Sequence, residues 1–80
     1  MKIKDATVLR IQDLCRDREI TLYRLAQLSG VSTKTLYGLL RKERQDMSLS
    51  LLKKIVNGLD ITMAEFFDSK IFNGLDLEIE

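Results

Sequence analysis

The sequence predicts an all-α domain of five short helices that ends in a short strand or an extended tail. Three observations carry that expectation. Apolar residues recur at helical spacing over most of the chain, Ser or Thr stands at the head of most of the amphipathic runs, and the chain ends in apolar–polar alternation over residues 75–80. The composition agrees: 80 residues, 45% hydrophobic, 6% aromatic, 31% charged and no proline. Such a chain makes one domain with a single modest core.

The first helix is expected from about Ala6 to Arg18, capped by Asp5 or Thr7, with Val8, Ile11, Leu14 and Cys15 inward. In the second, Leu22, Leu25, Ala26 and Ser29 recur at i, i+3, i+4 and i+7. Ile20 before the Thr21 cap and Leu25 after it form a hydrophobic staple. Gly30 closes this helix in the left-handed conformation that glycine adopts most cheaply. Val31, Ser32 and Leu36 repeat the staple and open a third helix backed by Leu36, Leu39 and Leu40. A charged connection, Arg41 to Asp46, leads to Ser48, the cap of a fourth helix with the stripe Leu52, Ile55, Val56 and Leu59. Thr62-Met-Ala-Glu65 has capping-box spacing and opens a fifth helix containing Phe66 and Phe67. At the end, Leu75, Leu77 and Ile79 alternate with Asp76, Glu78 and Glu80. A lone strand needs a partner, so this segment pairs with a second subunit, docks on its own bundle or stays loose. Pairing across a dimer is the preferred expectation.

The third helix turns Thr33, Lys34, Tyr37, Gly38 and Arg41 outward, a polar, basic and slim stripe. Those properties suit a helix lying in a DNA major groove, where base edges offer donors and acceptors. Over residues 21–41, Ala26, Gly30, Val31, Leu36 and Leu39 resemble the helix-turn-helix pattern of phage repressor and Cro-type (XRE-like) transcriptional regulators, and the similarity extends roughly from Val8 to Asp68. The resemblance implies a five-helix lambda-repressor-like DNA-binding bundle over residues 1–68. Residues 69–80 then form an acidic tail and a candidate dimerisation strand.

Carried over by position, base-edge contacts would come from Thr33, Lys34, Tyr37 and Gly38. Phosphate contacts would come from Thr21, Leu22, Tyr23 and Arg24 at the second helix, from Arg41, Lys42 and Arg44 after the third, and from Ser48 at the fourth. The implied partner is double-stranded DNA, bound by a homodimer. Three features depart from the family. Gly38 replaces a side chain that usually reaches DNA: either the backbone settles closer to the groove floor or the contact is lost. Leu22 replaces a common phosphate-binding glutamine. Cys15 and Leu40 stand where many relatives pair an arginine with a glutamate, and replacing such a pair as a unit is tolerated better than losing one member. Cys15 therefore reads as a small core residue and not as a redox sensor.

Residues 1–59 carry 12 Lys/Arg against 6 Asp/Glu, a net +6, whereas residues 60–80 carry 1 against 6, a net −5. A basic body with an acidic end fits phosphate binding plus a separate task at the C-terminus. One Cys and no His exclude the usual zinc clusters and most nucleophile–base pairs. No glycine-rich phosphate loop is present, so neither an enzyme nor a cofactor or small-molecule site is expected. Without a signal peptide or an apolar span, the expected location is the cytoplasm and not the membrane. The leading expectation is a sequence-specific transcription regulator. The alternative is a small protein-interaction module, an antitoxin or anti-regulator, supported by the acidic tail and by Leu22.

Overall fold

The same device starts four of the five helices. In a computed structural model describing residues 1–41 and 47–77, α1 spans Ile3–Asp17, α2 Leu22–Ser29, α3 Thr33–Leu40, α4 Leu49–Gly58 and α5 Met63–Phe67. Thr21, Ser32, Ser48 and Thr62 each accept a hydrogen bond from the backbone N–H three residues on. Each such bond satisfies one of the donors that a helix start leaves unpaired. The residue before each cap (Ile20, Val31, Met47, Ile61) packs on the core, and the residue four after it (Leu25, Leu36, Leu52, Phe66) is buried. Cap and staple thus fix both the start of each helix and its angle of entry into the core.

Most of the core cluster is what the helical periodicity predicts. Ile11, Leu25, Leu36, Leu39, Ile55, Val56 and Phe66 are fully enclosed, with Leu14, Cys15, Ala26, Leu52 and Leu59 completing the cluster. Burial pushes the Cys15 thiol up from its ordinary range, slightly opposed by the Arg18 charge, so it is held as the neutral thiol. Helix α2 packs against both α3 and α4. At Gly58 the crossing with α2 is so close that an added Cβ would lie 2.9 Å from the backbone nitrogen of Ser29. The Ser29 hydroxyl oxygen is enclosed there with no hydrogen-bond partner.

The first helix differs from the expectation. It begins at Ile3 and not at Ala6, and its N-cap, Lys2, makes no side-chain cap bond. Asp5 lies inside the first turn, where a carboxylate complements the helix dipole. Thr7 is buried mid-helix, its hydroxyl donating to the Ile3 carbonyl at 2.8 Å. Leu40, expected inward with Leu36 and Leu39, is half-buried.

The end of the chain also corrects the reading. No strand forms among the described residues; a 3-10 turn at Lys70–Phe72 packs against α1 instead. The rings of Phe67 and Phe72 meet at 4.9 Å and Phe66 joins both, which anchors the returning chain. Asp76 N–H then donates to the Met1 carbonyl at 2.9 Å. Within the single chain the tail docks on its own bundle as far as Asp76, Leu77 is exposed, and Glu78 to Glu80 lie outside the described residues. Alternation makes a strand only where a sheet edge accepts it, and the helical bundle of a single chain offers none among the described residues. No helix among the described residues is long and apolar enough to cross a membrane.

Candidate nucleic-acid interface

Gly30, at φ 68°, closes α2, and the Val31 N–H donates to the Ala26 carbonyl at 3.1 Å. This left-handed cap reverses the chain within three residues, so α3 leaves the turn held against α2. The Ser32 hydroxyl accepts from the Thr35 N–H at 3.1 Å and donates to the Thr35 hydroxyl at 2.8 Å. Thr35 is thereby occupied in the cap.

Along α3 the leucines decide which side faces out. Leu36 and Leu39 are fully buried, while Lys34 and the capping residue Arg41 are exposed and Thr33 and Tyr37 are half-buried. At 3.6 residues per turn, Thr33, Lys34, Tyr37 and Arg41 share an arc of roughly 100°. The Arg41 guanidinium carbon lies 5.7 Å from the centre of the Tyr37 ring. Gly38 departs from the expected outward stripe: it is buried. It sits at the flank of the arc and offers backbone alone, so no side-chain contact can come from this position.

The sequence-predicted phosphate residues divide. Thr21 Oγ1 accepts from the Arg24 N–H at 3.0 Å, which leaves the N–H groups of Leu22 and Tyr23 at the α2 start without intrahelical acceptors. The Leu22 side chain packs on the core, so only its backbone N–H is offered outward, whereas Tyr23 is 58% exposed. Arg24 is exposed, donating from Nη1 to the Gln27 amide oxygen at 3.4 Å. Ser48 repeats the arrangement at α4, accepting from the Leu51 N–H at 3.0 Å. Lys42 and Arg44 lie outside the described residues.

The first turns of α2, α3 and α4 contain no acidic residue, whereas Asp5 and Glu65 occupy those of α1 and α5. By sequence, residues 20–59 carry seven Lys/Arg and two Asp/Glu. Lys53 and Lys54, both exposed on α4, were not singled out by the sequence reading yet add to this positive region. Helix dipoles and side chains therefore act with one sign there.

Sequence reasoning also missed Arg10. Its Nε donates to the Phe66 carbonyl at 2.7 Å and its Nη2 to the Glu65 carbonyl at 2.9 Å, tying α1 to the C-terminal end of α5. Partners separated by 56 and 55 positions leave no local pattern to read.

The profile of the Cro/C1-type HTH DNA-binding domain matches residues 10–70. The chain is 30% identical over 61 residues to the SPbeta prophage-derived uncharacterized HTH-type transcriptional regulator YopS of Bacillus subtilis (strain 168). That alignment covers 76% of this chain and 82% of the relative. No solved structure matches. The family is one of DNA-binding domains and not an enzyme class. With the cap–glycine–cap geometry of α2 and α3 and a matching profile over most of its length, this chain belongs to the Cro/C1-type helix-turn-helix DNA-binding family.

Proposed function

We propose that this protein is a sequence-specific transcription regulator that inserts α3 into the DNA major groove. The observation that carries the reading is the paired character of α3: Leu36 and Leu39 sealed against the core, Lys34 and Arg41 exposed on the other side. Lys34, near the N-terminus of the helix, suits guanine O6 and N7, a contact worth roughly 1–3 kcal/mol of discrimination. Thr33 offers a hydroxyl and a methyl, and Tyr37 a phenol, to neighbouring bases. Because Gly38 is buried and has no side chain, its part is to keep the flank slim.

The starts of α2 and α4, at Thr21–Tyr23 and Ser48, hold the DNA backbone through their N–H groups, helped by Arg24 and Arg41 and, by sequence, Lys42 and Arg44. Two copies bind a pseudo-palindromic operator with half-sites about 34 Å apart, one helical turn. Occupying that operator represses or activates transcription, and the protein works in the cytoplasm, where Cys15 stays a thiol. Residues 1–68 form the DNA-binding body and residues 69–80 an acidic appendage. The name of the YopS relative, an HTH-type transcriptional regulator, supports the same reading.

Gel retardation with random-sequence duplex at low salt tests the proposal. Binding at micromolar protein is expected, with a log–log salt slope near about −3.6 if four cations engage phosphates. No retardation would favour the protein-interaction module instead. Selection from a random duplex pool then gives the operator, and its symmetry reads the number of bound copies.

A further inference from the structure

We infer that Tyr37 is a positioning residue for Arg41, holding its guanidinium by the ring face so that the N–H edge stays free for a DNA phosphate. This role rests on the DNA-binding reading above and adds to it an order of action between two side chains. The described arginines that make hydrogen bonds use their N–H groups within the chain. Arg10 donates to two carbonyls, Arg16 to the Asp13 carboxylate at 2.7 Å and Arg24 to the Gln27 amide. Arg41 is held differently, with its guanidinium carbon 5.7 Å from the Tyr37 ring centre. A cation over a ring face is attracted through its charge and leaves its planar fork of donors open.

The helix geometry makes Tyr37 the residue for this task. Positions three and four before Arg41 are its neighbours on the α3 surface, and these are Gly38 and Tyr37. Glycine has no side chain to offer, so the ring is the contact available on the preceding turn. Tyr37 is itself half-buried and Arg41 exposed, which suits a packed platform under an exposed cation. Ordering a long side chain before DNA arrives lowers the entropy lost on binding.

Anisotropy titrations of a short fluorescein-labelled duplex of arbitrary sequence, over a series of NaCl concentrations, test the assignment in the full chain. Arg41→Ala is expected to flatten the log–log salt slope by about 0.9. Tyr37→Leu is expected to weaken binding roughly two- to fivefold more than Tyr37→Phe, the size of an exposed cation–π contact, because phenylalanine keeps the ring face and loses only the phenol. In an Arg41→Ala background, the difference between Tyr37→Leu and Tyr37→Phe should vanish. An equal difference between the two in both backgrounds, or a loss in Tyr37→Phe matching that in Tyr37→Leu, would overturn the role while leaving the DNA-binding reading intact. Failure of the unmodified protein to bind the duplex would remove both. Proton NMR without DNA guards against a merely structural effect: ring-current shifts on the Arg41 side chain should persist in Tyr37→Phe and vanish in folded Tyr37→Leu, and their absence from the unmodified protein also rejects the assignment.

Discussion

Around α1 and the returning tail, polar groups are taken up by the chain itself. Arg10 is bound to two carbonyls of α5, Arg16 to Asp13, the Glu65 carboxylate to the Thr62 N–H, and Asp76 to Met1 through both its backbone N–H and its carboxylate. Arg24 likewise bonds Gln27, but α2, α3 and α4 otherwise differ. Their first turns lack acids, Lys34, Lys53 and Lys54 are exposed, and Arg41 is held by an aromatic ring that leaves its donors open. The two regions share one core and one capping device, so their stability rests on the same physics. What separates them is whether charge has a structural duty. A small domain keeps a binding face available by satisfying its other polar groups internally.

The sharpest way to break this comparison is to disturb the crossing that holds α2 on α4. Gly58→Ala places a methyl against the Ser29 backbone, and such overpacking should cost about 1–3 kcal/mol, read as a lowered urea midpoint. The contrast itself is tested by exchanging effects between the regions. Arg10→Ala should lose roughly 1–3 kcal/mol of stability, because two carbonyl partners are abandoned, yet leave duplex affinity of the folded protein unchanged. Lys34→Ala should do the opposite: stability within about 0.5 kcal/mol of the parent, duplex affinity lower by roughly 1–3 kcal/mol. Urea melts and anisotropy titrations of both variants decide it.

Smaller effects come from the helix starts. Thr62→Ala should cost about 1 kcal/mol by removing the α5 cap. The N–H of Thr62, and then its hydroxyl, hold the Glu65 carboxyl below its ordinary 4.5. A depressed folded value means that the stabilisation is present above that ordinary value and fades as pH drops through the folded one. Glu65→Gln should therefore flatten the acid limb of a stability–pH curve and leave the limb above it parallel to the parent's. Least of all, Lys2→Asp should raise stability by about 0.5–1 kcal/mol, since α1 begins without the side-chain cap that the other helices have.

The same contrast explains what was legible in the sequence. Caps and staples act over five or six residues, so Ile20–Leu25, Val31–Leu36 and the Thr62–Glu65 box could be read directly. Lys2 has no capping chemistry, which hid the true start of α1 and made Asp5 and Thr7 look like its caps. Arg10 and Phe66, or Gly58 and Ser29, meet only after folding, and nothing near either in sequence announces the other. Alternation in the tail points to a strand only when a partner edge meets it, and within the single chain Phe67 and Phe72 anchor the tail instead. On α3, the leucine spacing was enough to place Lys34 and Arg41 outside. It misplaced Gly38, because the exposure of a glycine depends on its neighbours and not on its own polarity.

The account turns on which region meets DNA, and amide NMR shifts on adding a short duplex address it most directly. The expected perturbations fall on the backbone N–H groups of Thr33 to Tyr37 and at the starts of α2 and α4, with Lys2 to Arg10 and Lys70 to Asp76 unmoved. Shifts concentrated on α1 and the returning tail, with α3 silent, would contradict it.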